Sequence, residues 1–183
     1  MKHAKKILAL TLVLVMVFAL SATVFAAGTG SITITPPSGT ESGTTNTYKI
    51  YKVFDADGDG TNISYKLTTG KTTAPAGFSV DAAGNVTYNG SATAGDDGKV
   101  QLTADDITAI AGYVTESDLV TTVTSKGTAN AVAEGLPNGY YYITTSTGTV
   151  VTIDSTNPNV EVDDKNVVPP VTKVIDGVST GSF

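Results

Sequence analysis

The chain has 183 residues, a formal charge of −6, no cysteine, and one histidine, His3, near its amino end. This composition excludes thiol nucleophiles, and beyond the first residues it excludes Ser-His-Asp triads and zinc sites with His or Cys ligands. The negative charge argues against nucleic acid and anionic lipid surfaces as partners.

Residues 1–26 are predicted to be a secretory signal peptide. Three lysines precede an apolar run from Ile7 to Leu20, and small residues follow, so we expect cleavage after Ala26, with Ala27 as the alternative. The apolar run is shorter than the roughly 20 residues that a membrane-spanning helix needs. Cleavage removes three lysines and no acid, which takes the formal charge from −6 to −9. We therefore expect an acidic, secreted mature chain.

The first part of the mature chain shows the period-two alternation of β-strands, at residues 31–35 and more strongly at 48–54. The second segment is predicted to place its larger apolar residues on one buried face, which comprises Tyr48, Ile50, Lys52 and Phe54. Lys52 would then point inward, where an unpaired ammonium costs several kcal/mol. The alternative is that its amine extends to solvent at the edge of the sheet.

An acidic segment follows the second strand and has the D-x-D-x-D-G spacing of the first half of a calcium loop: Asp55, Asp57, Asp59 and Gly60. Position twelve of such a loop would be Lys66, where a bidentate glutamate is required. We interpret the segment as a turn that leads into a strand at residues 62–67, and we predict no metal site.

The middle of the chain is predicted to hold a hairpin, a helix and further strands. The hairpin joins residues 78–80 to 85–88, and a short strand at 99–102 precedes a helix with Thr103 as its N-cap. Residues 113–125 fit either a second helix or a strand. Residues 128–133 are expected to return to the sheet.

The last part of the mature domain is predicted to contain two or three strands, with one buried face, that end at a Lys-Asn pair. Residues 134–139 are expected to form the turn that opens this part, and residues 147–149 and 157–159 to form further turns. Lys165 and Asn166 follow the final alternating segment, residues 160–162.

The whole pattern predicts a mainly β fold, an Ig-like β-sandwich with a short helical insertion, over residues 27–166. Residues 167–170 contain two prolines and are expected to be a stiff linker. Residues 171–183 begin another alternating strand, which we interpret as the start of a further, truncated domain with nothing to pair with.

Three segments carry a resemblance to a known family: residues 48–55 (YKIYKVFD), 135–142 (GLPNGYYY) and 160–166 (VEVDDKN). Together with the export signal and the proline linker, they resemble the N-terminal domain of Gram-positive sortase-assembled major pilins, the isopeptide-forming fimbrial shaft proteins. The last segment is similar to the family's motif V-x-V-Y-P-K-N, with Asp163 and Asp164 in place of Tyr and Pro.

The resemblance implies a structural subunit of a pilus at the cell wall, with Ig-like domains, no enzymatic activity and no cofactor. Its implied partners are identical subunits and a pilin-specific sortase, which joins Lys165 to the C-terminal threonine of the next subunit. The family's L-P-x-T-G sorting signal does not occur in these 183 residues, so we expect it in a further stretch of chain.

The resemblance also implies an internal Lys-Asn isopeptide bond, which we assign to Lys52 and Asn166. Burial can lower a lysine pKa from about 10.4 by up to about 3 to 5 units, and the neutral amine can then attack a carboxamide and expel ammonia. Lys52 lies two positions from Ile50 and is therefore predicted to share its buried face, whereas Lys49 is predicted to lie on the opposite face. This difference favours Lys52. A carboxylic acid would assist as a proton shuttle. The resemblance points to Glu134, and the alternatives are Glu116, Asp118 and Asp154.

Two other classes of function remain open from the sequence. A secreted β-sandwich adhesin or calcium-dependent binding module would present the loop at residues 55–60 together with Tyr48 and Tyr51. A glycosidase would need a cleft with two facing carboxylates, for which the sequence offers no positive support.

Overall fold

The computed structural model of the chain describes residues 30–58, 63–91, 93–94, 100–146, 148–165, 172–175 and 178–182. These residues form two main sheets with one short α-helix, which confirms the predicted mainly β fold, an Ig-like β-sandwich with a helical insertion. The predicted signal peptide, the linker at 167–170 and Asn166 lie outside the described residues.

Strands dominate the described part of the chain. In chain order they are β1 (Gly30–Thr35), β2 (Thr45–Gly58), β3 (Ile63–Leu67), β4 (Phe78–Val80), β5 (Asn85–Tyr88), β6 (Thr93–Ala94), β7 (Val100–Gln101), β8 (Leu119–Lys126), β9 (Ala131–Leu136), β10 (Gly139–Ile143), β11 (Thr149–Ile153), β12 (Asn159–Asp163), β13 (Thr172–Ile175) and β14 (Val178–Ser182). The helix α1 (Ala104–Tyr113) and a 3₁₀ turn (Glu116–Asp118) lie between β7 and β8.

The smaller main sheet has three strands in the order β12-β1-β9. β1 pairs antiparallel with β9 and parallel with β12, in a register that runs from Ser31 opposite Asn159 to Thr35 opposite Asp163. The first and last strands of the sandwich are therefore neighbours. Chain entry and chain exit lie at opposite ends of this pair, because parallel strands run in the same direction.

The larger sheet is built on β2. One edge of β2 pairs with β10, and the other edge pairs with β8 along its first half and with β3 along its second half. The strand order is β11-β10-β2-β3-β5-β4, with β8 also on β2. At 14 residues β2 is twice as long as the predicted segment, and the β4–β5 hairpin beyond it is confirmed.

This larger sheet is buried on both faces. One face packs against the three-stranded sheet around Ile32, Ile50 and Tyr141. The other face packs against α1 and the neighbouring loops around Phe54 and Ile110. The expectation of a single buried face for the tyrosine-rich β10 is therefore wrong, since its alternate residues enter both cores, as in strands that are covered on both sides.

A β-bulge in β2 changes which of its residues face the inter-sheet core. Tyr140 lies opposite Phe54 and Tyr141 lies opposite Lys52, so Val53 is an extra residue on β2. Lys52 keeps the face of Ile50, as predicted. Phe54 does not share it, because the extra residue reverses the alternation and turns Phe54 into the second core.

The helical insertion begins as the sequence predicts. The Thr103 side chain accepts a hydrogen bond from the amide of Asp106, and the Asp106 carboxylate accepts one from the amide of Thr103, which forms a capping box. The ambiguous residues 113–125 form the end of α1, the 3₁₀ turn and then β8. The part rich in Thr and Val forms a strand, as this composition favours, although Leu119, Val120 and Val123 also have helical spacing.

One element boundary and one strand pairing also differ from the prediction. Glu134 belongs to β9 rather than to a turn, which leaves Pro137 and Asn138 as the connection to β10. The segment after the linker does have a partner, because β13 pairs antiparallel with β14.

The packing of α1 against the core around Phe54 predicts how much single residues of the helix contribute to the free energy of unfolding. Ile110 has no exposed surface, whereas Ile107 on the same helix is only half-buried. We expect Ile110→Ala to lower the free energy of unfolding by about 2 to 5 kcal/mol, from lost burial and an unfilled cavity. Ile107→Ala, the matched control, should cost less than half as much. Urea unfolding of the mature chain measures both, and equal losses would contradict this packing.

Candidate functional site

The chain leaves the sandwich at Lys165, just past the end of β12. Val160 and Val162 face the inter-sheet core, whereas Glu161 and Asp163 face solvent. The alternation continues past the strand, because Asp164 is buried and Lys165 is exposed. The predicted attachment lysine is therefore on the surface, two residues past the end of β12.

Asp164 holds this exit to two other parts of the domain. Its Oδ1 accepts hydrogen bonds from the Ser146 hydroxyl at 2.6 Å and the Ser146 amide at 3.2 Å, and its own amide donates to the carbonyl of Thr35 at 2.9 Å. Burial raises the pKa of Tyr48, and the charge of Asp164 raises it further. The Tyr48 hydroxyl lies beside Ser125 and Asp164, although no described residue offers it a partner at hydrogen-bonding geometry.

Lys52 lies in a second polar group at the other end of the sandwich. Its Nζ is 2.5 Å from Oδ1 of Asp55, and the two side chains are 18% and 25% exposed. The bulge at Val53 puts these two residues on one face although they are three apart. The Lys52 stem lies over Gly139, where a Cβ atom would come within 2.6 Å of the lysine Cε. The same Cβ atom would lie 3.0 Å from the backbone carbonyl oxygen of Phe54, so glycine allows the two strands to approach closely here.

Tyr141 completes this group. Its hydroxyl donates a hydrogen bond of 2.5 Å to the carbonyl of Pro137. Burial raises the pKa of Tyr141, and the charge of Asp55 raises it further. The hydrogen bond fixes the β9–β10 turn against the strand, in the manner of the tyrosine corner of Ig-like domains.

Glu134, the predicted acid, is exposed on β9. It lies in a bulge of that strand, between the pairs Ile32–Ala133 and Gly30–Leu136. Among the described residues, no hydrogen bond or ion pair joins Glu134 to Lys52. The two residues share the same end of the sandwich, because Leu136 and Gly139 flank the short turn between β9 and β10.

The described residues place Lys52 in the middle of β2, whereas the chain exit lies beside the first part of that strand. Asp164 lies beside the Tyr48 hydroxyl. Lys52 is four positions after Tyr48 along the strand, a rise of roughly 13 Å. Asn166 lies outside the described residues, and two residues of chain after Asp164 span at most about 7 Å. A Lys52–Asn166 bond therefore requires the lysine amine to leave Asp55 and turn toward Tyr48.

The three alternative acids are all held in their ionised form. A hydrogen bond from Lys49 lowers the pKa of Glu116. Burial raises the pKa of Asp118, but hydrogen bonds from Lys71 and Thr115 outweigh it, so that pKa is lowered.

Asp154 behaves in the same way. Burial raises its pKa, and hydrogen bonds from Thr156 and Asn157 outweigh this effect, so the pKa is lowered. A carboxyl group that donates a proton at neutral pH needs a raised pKa, so all three of these acids are poor candidates for the proton shuttle.

The features expected of a calcium-dependent or aromatic binding surface do not come together. Tyr48 and Tyr51 are 1% and 7% exposed, so neither ring is offered to a ligand. Asp55 and Asp57 lie in β2, and Asp55 is paired with Lys52. Asp59 lies outside the described residues, and the described part of the chain holds no group of three potential metal ligands.

Sequence reasoning missed the roles of Asp55 and Asp164. The first was assigned to a turn, and its contact with Lys52 depends on a bulge that alternation does not reveal. The second was available from the sequence, because the alternation of residues 160–162 continues inward at Asp164.

No model of a known protein family, no curated protein and no solved structure matches the chain. Within the described residues, no helix has the length and apolar character needed to cross a membrane.

The ion pair between Lys71 and Asp118 allows the ionised state of Asp118 to be tested by the pH dependence of stability. Nζ and Oδ2 are 2.8 Å apart, and the side chains are 19% and 8% exposed. The folded-state pKa of Asp118 lies below its ordinary value of 3.8, so its stabilisation is complete above that pH and is lost as the pH falls through the folded-state value. We expect Asp118→Asn to cost about 1 to 3 kcal/mol near pH 6, with the deficit shrinking below pH 3.8.

The matched control is Glu116→Gln, whose partner Lys49 is 42% exposed and whose own side chain is 70% exposed. Removing such a surface pair should change stability little. Urea unfolding at several pH values measures both variants. A deficit of Asp118→Asn that is independent of pH would contradict the assigned ionisation.

Proposed function

We propose that this chain is a structural subunit of a covalently polymerised cell-surface pilus, in which a pilin-specific sortase joins Lys165 to the neighbouring subunit. The chain acts as a building block and not as an enzyme, and it uses no cofactor. Its partners are identical subunits and the sortase. It works outside the cell at the cell wall, and the mature domain contacts neither nucleic acid nor membrane.

The observation that carries the proposal is the position of Lys165. It is exposed and follows Asp164, which is buried and hydrogen-bonded to Ser146. An acyl-enzyme needs an accessible amine at a defined position, and the hydrogen bonds of Asp164 hold the residue next to Lys165. The resemblance of residues 160–166 to the pilin motif supports the same lysine. The burial of Tyr48 and Tyr51 disfavours the alternative of a binding module.

The first test of the proposal replaces the attachment lysine. In the full-length protein expressed with its sortase, Lys165→Ala should abolish the ladder of high-mass polymers, because it removes the amine that the sortase acylates. Lys66→Ala, which removes an exposed lysine from β3, should leave the ladder intact. Gel electrophoresis in denaturant reads both. A ladder that persists in Lys165→Ala would place the attachment elsewhere, and Lys173 would be tested next.

The second test concerns the internal Lys52–Asn166 bond, which remains a prediction from the resemblance. Formation of the bond expels ammonia, so the intact mass of the mature domain should be about 17 Da below the sequence mass. Lys52→Ala and Asn166→Ala should each abolish this loss. An intact mass equal to the sequence mass, in protein that has been folded and aged for days, would rule the bond out.

A further inference from the structure

We propose that Asp164 is a positioning residue for Lys165, which holds the acceptor amine in place during the transfer of a neighbouring subunit. The inference rests on the proposed function, because it assumes that Lys165 is the acceptor. It assigns a second residue, Asp164, a role in that reaction. The motif that residues 160–166 resemble has proline at this position.

The Asp164 side chain is buried, which is unusual for a carboxylate. Asp164 is 8% exposed, although both of its sequence neighbours are exposed. Charged groups are rarely buried without partners, because the loss of hydration is costly. The Ser146 hydroxyl and amide offset this cost by donating to the same carboxylate oxygen. The side chain of Asp164 is therefore directed inward by specific contacts.

The contacts of Asp164 connect the two main sheets. Ser146 lies in the turn between β10 and β11 of the larger sheet, whereas Thr35, which accepts from the Asp164 amide, ends β1 of the smaller sheet. Asp164 therefore fastens the residue before Lys165 to both sheets at once. A strand end without such ties frays, since its last backbone groups have few partners.

These contacts bear on subunit transfer because they hold the backbone next to the reacting amine. The protonated Lys165 amine first loses one proton to solvent, and its nitrogen then attacks the acyl carbon carried by the sortase. The new amide bond forms as the bond between that carbon and the enzyme's nucleophile breaks, and a second amine proton passes to the departing group. Holding the amine near its position of attack reduces the entropy lost in this step.

The experiment measures transfer to the purified full-length chain, with its sortase and a donor subunit, for five single variants and one double variant. Asp164→Ala removes both hydrogen bonds to the carboxylate. Asp164→Asn keeps an oxygen that can accept them. Ser146→Ala removes the hydroxyl donor at a position 19 residues from Lys165 in the sequence. Asp163→Ala is the matched control, because it removes an exposed charge next to the same exit. Lys165→Ala reports on the acceptor itself.

We expect Asp164→Ala to lower kcat/KM for transfer by about tenfold or more, a loss typical of a misplaced reacting group. Asp164→Asn should restore the rate to near that of the wild type, and Asp163→Ala should match the wild type. Ser146→Ala should slow transfer several-fold, and combining it with Asp164→Ala should add nothing further, since both remove the same contact. Amide hydrogen exchange at residues 163–165 should be faster in Asp164→Ala.

Each outcome decides a different question. If Lys165→Ala is inactive while Asp164→Ala and Ser146→Ala transfer at the wild-type rate, the positioning role is wrong and the proposed function stands. If Lys165→Ala still accepts subunits, the proposed function fails and the positioning role fails with it. If Asp164→Ala does not fold, as shown by its thermal melt, then Ser146→Ala and Asp164→Asn decide the question. Wild-type transfer by Ser146→Ala would then overturn the inference.

Discussion

The parallel pairing of β1 with β12 is the contact on which the rest of the sandwich depends. It joins the first strand to the last across more than a hundred residues of chain, and it leaves Lys165 at the end of the sandwich opposite to Gly30. Ile32, Ile34 and Val162 then face the larger sheet together and close the inter-sheet core. The position of the candidate attachment lysine is thus a consequence of how the fold closes, because Asp164 continues the inward alternation of β12.

Alternation and turn chemistry predicted most strands and the start of α1, since these features depend on local sequence. They failed where one extra residue changes the register. The bulge at Val53 sends Phe54 into a second core and brings Asp55 to Lys52, and nothing in the alternation marks it. The burial of both faces of β10 was also missed, because the cover over its second face comes from α1, which is distant in sequence. The directions of Asp164 and Lys165 follow from the alternation of β12, whereas the contact of Lys52 with Asp55 depends on the bulge.

Under the proposed function, the position of Lys165 also decides where tension runs in a fibre. Force would enter through the lysine side chain and leave along the backbone on its carboxyl side. Residues 30–164 lie on the amino side of that path, so none of the described strand pairs of the sandwich would be pulled apart. A Lys52–Asn166 bond would then act chiefly by restricting the unfolded chain, as a disulfide does, and not by carrying load.

The central claim, that Lys165 accepts the neighbouring subunit, is tested most directly by mass spectrometry of purified polymer after proteolysis. The account predicts a branched peptide in which the Nζ atom of Lys165 forms an amide with the C-terminal residue of a second chain. The mass of this peptide equals the sum of its two parts less one water molecule. A branch at any other lysine, or polymer in which every Lys165 amine is free, would contradict the account.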